Sequence, residues 1–232
     1  MNPAQLFLLL TSYFGRLQWW PVDHAYHRKQ GSDPRFEIIV GAILTQNTAW
    51  SNVEKALHEL KCHNLLNVQA LNHVDELVLI TCIRSSGFFN QKAQRLRLFC
   101  SFLIDEYNGE ISKLFLGSLT QVRQRLLSLK GIGHETADSI LLYAGNKPVF
   151  IVDAYTKRLC QRLALPVSVL KYDVVQNFFE QQLSKSFDKS ELVDVYQQYH
   201  AMIVELAKQF CQIKPRCLLC PIQQYCSLQQ GL

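Results

Sequence analysis

Apolar residues recur along most of this chain at helical spacing, and no convincing strand-type alternation appears. Residues 4–16 open with such a helical pattern. It breaks between Gln18 and Pro34, where the sequence carries WWP at 19–21, scattered histidines and Gly31-Ser32-Asp33-Pro34. Asp33 followed by Pro34 reads as a helix start, a capping side chain with proline at the first helical position. The segment that follows, FEIIVGAILTQ, is apolar on several faces and belongs at the centre of a core. Asn47 and Thr48 interrupt it. WSNVEKALHELK then resumes with Val53, Ala56, Leu57 and Leu60 on one face. Further helices fit residues 74–81, 90–107, 118–129, 134–145, 154–164, 172–185 and 190–210, while Pro148–Val152 is extended. The pattern predicts an all-α fold.

The stretch Leu126 to Arg158 organises the rest. A helix ends at Leu129-Lys130, Gly131-Ile132-Gly133 breaks it, and a second helix starts near His134. Glycine lets a backbone adopt positive φ and approach a ligand closely. Bare N–H groups at the start of the next helix suit an anion, here a DNA phosphate, with Lys130 beside them. An apolar connector from Val149 to Val152 then delivers Asp153 to the mouth of a third helix. Gly87-Phe88-Phe89-Asn90 is another helix entry, with Lys92, Arg95 and Arg97 nearby.

Composition narrows the field only modestly. The 232 residues are 48% hydrophobic and 19% charged, enough for one large or two modest domains with real cores. The net charge of +5 permits nucleic-acid binding without requiring it. The N-terminal apolar run lacks the basic start and cleavage site of a signal peptide, and no segment reaches membrane-spanning length. A cytoplasmic, reducing location is expected. Cys62, Cys82, Cys100 and Cys160 sit singly in apolar patterns, whereas Cys211, Cys217, Cys220 and Cys226 form C-x5-C-x2-C-x5-C. In a reducing compartment that crowding points to a metal group, either a [4Fe-4S] cluster or a tetrahedral zinc.

Hairpin, downstream aspartate and terminal cysteines, in this order, resemble the endonuclease III superfamily of helix-hairpin-helix DNA glycosylases. LKGIGHETA at 129–137, Val152-Asp153, the four cysteines, Leu44-Thr45-Gln46-Asn47-Thr48 and GFFNQKA at 87–93 carry the resemblance. It implies a six-helix barrel lobe at 33–146 containing the hairpin at 118–145. A second lobe would combine 1–32 with 147–232, its cluster loop at 211–226, and Asp153 would face a cleft between the two. It favours a [4Fe-4S] cluster over zinc, although the first cysteine gap is five residues where six is common in the family. WWP, the QNT segment followed by Trp50, and Tyr199-His200-Ala201 most resemble the 3-methyladenine glycosylase branch. The bifunctional lyases carry a nucleophilic lysine where this chain has Glu135, and a carboxylate cannot form an imine.

The resemblance thus implies a monomeric, nucleoid-associated, monofunctional glycosylase that flips a damaged, alkylated purine out of double-stranded DNA and hydrolyses its N-glycosidic bond. Asp153 would stabilise the oxocarbenium-like transition state. Gly131, Ile132, Gly133, Lys130 and His134 would hold phosphates, Gln46 would fill the vacated space, and Trp19, Trp20, Pro21 and Trp50 would line the base pocket. A mismatch or oxidised-pyrimidine glycosylase, or a non-catalytic DNA-binding module with a redox cluster, remain the rival readings.

Overall fold

Asn2 begins the first helix, α1 (Pro3–Phe14), with a capping box in which its side chain accepts from Gln5 while Gln5 reaches back. This computed structural model describes residues 1–167 and 169–228, and those residues form helices without a strand. The chain divides into two compact units, one of residues 20–147 and one joining 1–19 to 148–232.

The continuous unit is built around α3 (Arg35–Leu44), buried from Phe36 to its end. The regular turns of α3 start after Pro34, and the Asp33 carboxylate accepts from the Arg35 backbone N–H (2.9 Å), as a capping residue does, and from the Arg35 side chain. Ahead of it lies a short helix that the sequence pattern did not show, α2 (His24–Gln30), capped by Asp23 and closed by Gly31 in the left-handed region. Buried polar contacts fasten α2 here: His27 Nε2 lies 3.1 Å from Glu37 Oε2 and Nδ1 lies 2.7 Å from Ser32 Oγ. Residues 20–32 therefore lie with this unit. The others are α4 (Trp50–Cys62), α5 (Val68–His73), α6 (Glu76–Ile83), α7 (Phe89–Tyr107), α8 (Ile111–Leu114), α9 (Leu119–Leu127) and α10 (His134–Ser139). The helix expected over 134–145 changes character at Ile140, where a π-helical turn runs to Ala144 against α3.

In the other unit, α11 (Ala154–Arg162) and α12 (Tyr172–Leu183) pack with α1 and α13 (Leu192–Gln209). The extended connector before α11 is buried from Val149 to Val152. Its backbone is satisfied by side chains of α12: Phe150 N donates to Glu180 Oε1 (2.8 Å) and Phe150 O accepts from Gln176 Nε2 (2.7 Å). Phe150 stacks on Phe179 with centroids 4.5 Å apart, and buried Tyr199 donates to Pro3 O, tying α13 to α1.

Candidate DNA-handling and catalytic residues

Two helices, α9 and α10, flank the turn Gly131-Ile132-Gly133. They are clamped beneath it by Arg123, whose Nε and Nη2 donate to Asp138 Oδ1 (2.7 Å) and Oδ2 (2.9 Å), with His134 Nδ1 3.1 Å from the same Nη2. Asp138 is fully buried, so the two-pronged pair fixes how α10 leaves the turn. Ile132 points inward and its N–H is spent on Leu129 O, so its part in the turn is packing. Lys130, Gly131, Gly133 and His134 are exposed.

The two glycines do different work. Gly131 has φ +91°, and a Cβ there would come within 2.4 Å of Arg95 Nε. Gly133 is extended at φ −92° and caps α10, and a Cβ there meets nothing within 4 Å. Open space in front of Gly133 suits an incoming oxygen. Gly131→Ala is therefore expected to lower the melting temperature as well as nucleic-acid affinity, since backbone strain there costs about 1–3 kcal/mol. Gly133→Ser, which keeps a favoured cap, should hold stability within about 0.5 kcal/mol and affect affinity alone. Thermal unfolding beside titration with duplex separates the two, and equal melting losses would refute the division.

Gln46 lies against this turn: its Nε2 donates to Gly131 O (3.0 Å) and to Thr136 Oγ1 (2.9 Å), and its Oε1 accepts from Arg95 Nη1. Lys92, one turn earlier on α7, is fully buried and donates to Leu44 O (2.8 Å) and Ser86 O (2.7 Å), supplying donors that helix ends lack. Burial, helped by Arg95, lowers its pKa to about 8. Just after Ser86, Phe88 takes φ +48° and is 62% exposed, an unusual conformation for an aromatic side chain.

Among the tryptophans, Trp20 and Trp50 come together. Trp20 meets Trp50 edge-on at 5.1 Å and Tyr143 at 5.3 Å. It lies on Gly41 so closely that a Cβ would be 3.1 Å from the indole, which accounts for glycine in the middle of α3. Trp50 Nε1 donates to Glu54. Trp19 belongs to the other unit, under Lys208 at 5.1 Å, and Pro21 is exposed.

Asp153 caps α11, and one oxygen does all of that work. Oδ1 accepts from Thr156 N (2.7 Å) and Thr156 Oγ1 (2.8 Å), while Oδ2 faces His200 Nε2 at 3.8 Å. Both side chains are buried. Burial pushes the His200 pKa down and outweighs the opposing pull of Asp153. The folded imidazole therefore resists a proton that the unfolded chain accepts near its ordinary 6.5. Stability carried by His200 is present above that value and is lost as pH falls below it. A His200→Gln variant should show a flatter loss of melting temperature between about pH 6.5 and 5 than the parent. Parallel curves would exclude this contribution.

The four terminal cysteines line one pocket with Leu159, Leu163, Phe210 and Ile222. Arg162 bridges the loop's two ends. Its Nη1 donates to Cys211 Sγ (3.1 Å) and its carbonyl accepts from Cys226 Sγ (3.4 Å) and Ser227 N (2.9 Å). Burial pushes the Cys220 thiol up, and Cys211, Cys226 and Cys217 push it the same way. Four soft donors in one apolar pocket, with a guanidinium beside them, fit a thiolate-bound metal group. Among the described residues, no three His, Cys, Asp or Glu side chains gather as a cage for a single ion. Lys208 lies over Trp19 and pairs with Glu205, and Lys214 and Arg216 are exposed on the loop.

Residues 40–185 match the profile of the HhH-GPD superfamily base excision DNA repair proteins. The chain belongs to the HhH-GPD superfamily. A candidate DNA repair glycosylase of Methanocaldococcus jannaschii is 42% identical over 96% of this chain and 94% of its own length. Endonuclease III of Haemophilus influenzae is 29% identical over 84% of each chain. Among solved structures, the H. pylori 3-methyladenine DNA glycosylase bound to 1,N6-ethenoadenine is similar. It superposes with a TM-score of 0.75 at 29% identity, covering 90% of this chain and 98% of that one. The helix-hairpin-helix glycosylase fold expected from the sequence is thus present.

Several of these contacts were not visible in the sequence. Arg95 and Lys92 were noticed as cations near GFFNQKA, but nothing local says that both turn inward. Tyr143 and Thr156 looked like ordinary helix residues. Phe88 carried a faint signal, an aromatic directly after a glycine at a helix entry. Among the described residues no helix is long and apolar enough to cross a membrane.

Proposed function

We propose that this chain is a monofunctional DNA glycosylase that removes alkylated purines from double-stranded DNA as a monomer. The observation that carries the reading is the division of labour on Asp153. Capping uses Oδ1 alone, so the buried carboxylate keeps Oδ2 for positive charge developing on the sugar. The hairpin around Gly131 and Gly133, with Lys130, holds phosphates. Phe88 supplies an apolar wedge for a base step, which explains an exposed aromatic in a strained conformation.

Trp20, Trp50 and Tyr143 offer electron-rich faces and edges. An alkylated purine is cationic and departs without needing protonation, so stacking can select it by cation–π attraction. The similarity to the H. pylori 3-methyladenine enzyme supports this choice. Trp50→Ala is expected to slow release of alkylated bases about tenfold while leaving affinity for abasic duplex nearly unchanged. Equal losses in both assays would mean that Trp50 only packs.

The likeness to an endonuclease III favours a second reading, a bifunctional enzyme that also nicks the strand. Glu135, exposed in the first turn of α10, speaks against it, because no amine stands there to form an imine. The cysteine pocket is proposed to hold a [4Fe-4S] cluster through Cys211, Cys217, Cys220 and Cys226. Bound there, the cluster would pin the terminal loop to Arg162 and α11. Incubation with methylated DNA and with duplexes bearing uracil, mismatched thymine or an oxidised pyrimidine tests the reading. Release of methylated purine without borohydride-trappable intermediate or alkali-independent nicking is expected. Trapping, or release of pyrimidines alone, would overturn it. A visible absorption band lost on Cys217→Ser would distinguish the cluster from zinc.

A further inference from the structure

We propose that Arg95 is a positioning residue that holds Gln46 against the hairpin and thereby sets the Gly131–Gly133 backbone for phosphate. The inference rests on the DNA reading above.

Gln46, Arg95 and Gly131 are far apart in sequence yet form one hydrogen-bonded chain. An arginine can only donate, so its contact fixes the Gln46 amide with oxygen toward Arg95 and nitrogen toward the turn. That nitrogen has two hydrogens, and both are placed, on Gly131 O and Thr136 Oγ1. In the free protein the amide is therefore fully employed as a strut against the turn. Arg95 also touches the turn directly. Its Nε, Cδ and Cγ occupy the space that a side chain at 131 would need, at 2.4, 2.8 and 2.8 Å from the missing Cβ. One guanidinium thus holds the strut while its stem lies against the outside of the same turn. Lys92, three residues earlier on the same face of α7, secures the carbonyl of Leu44, from which the Gln46 segment departs. α7 thus holds both the amide oxygen and the helix end from which the strut departs.

A lysine in place of Arg95 keeps the charge but offers a single shorter point of donation. Arg95→Lys, Gln46→Ala and the double variant are titrated with duplex containing an abasic analogue, with thermal unfolding measured on each. Each single variant is expected to bind about tenfold more weakly, the double no more weakly than either, with melting temperatures held within about two degrees. Losses that multiply, or an Arg95→Lys variant with parental affinity, would overturn the strut, since a phosphate contact behaves that way. Hydrogen exchange without DNA is the second measurement. Faster exchange at amides 131–136 in both single variants is expected, and unchanged exchange refutes the positioning role whatever the protein binds. Parental protein that ignores duplex while its variants show faster exchange would sink the DNA reading and leave the strut standing.

Discussion

Asp153→Asn is expected to bind damaged duplex as the parent does and to release base about a hundred- to a thousandfold more slowly. Asparagine is as good a helix cap as aspartate, and its side-chain oxygen can still accept from Thr156. What the substitution removes is the negative charge, including that of Oδ2, the oxygen not spent on the cap. A neutral amide cannot stabilise an oxocarbenium-like sugar, so binding and chemistry should part company. Single-turnover base release, measured with saturating enzyme, reads the chemical step. Near-parental release would return Asp153 to the role of a plain cap.

The largest effect on stability is expected at Asp138. Removing its carboxylate in Asp138→Ala takes away both bonds to Arg123 and the buried negative charge that faces the guanidinium under the hairpin. Breaking a buried pair from one side costs about 3–5 kcal/mol. Arg123 keeps some solvent contact, its side chain being 21% exposed, so the low end of that range applies. A loss of about 3 kcal/mol corresponds to a melting shift of roughly 10 °C for a chain of this size. A shift under two degrees in the single variant would show that the pair does not hold the hairpin. Affinity for DNA should fall with the hairpin's order, while the identity of the released base should not change.

The positions of the glycines show how far local reading reaches. GIG announced a turn, and glycine at 131 is indeed required by φ +91°. The sequence offered no means of telling Gly131 from Gly133, because the difference lies in Arg95, which approaches from another helix. Helix ends tell the same story. Capping signals around Asn2, Ser118 and Asp153 are local chemistry, and the helices start where those residues stand. At Asp33-Pro34 the carboxylate accepts from the Arg35 N–H as the local signal says, and it takes the Arg35 side chain as well. Short α2, α5 and α8 have too few turns for a periodic pattern to declare itself, and tertiary contacts hold them.

By itself, then, the sequence determined the all-α class, the hairpin, Asp153 at the mouth of a helix, the missing lysine at 135 and the four-cysteine loop. Each of these is a property of neighbouring residues: periodicity, turn chemistry, spacing and the identity of one side chain. Tertiary structure alone decided which side chains meet. It put Trp20 on Gly41 beside Trp50 and Tyr143, sent Trp19 to Lys208, and aimed Asp153 Oδ2 at His200. It also buried Lys92 and turned Arg95 onto Gln46. Such pairings join residues tens of positions apart, and their energy comes from burial and hydrogen-bond satisfaction that no local window contains.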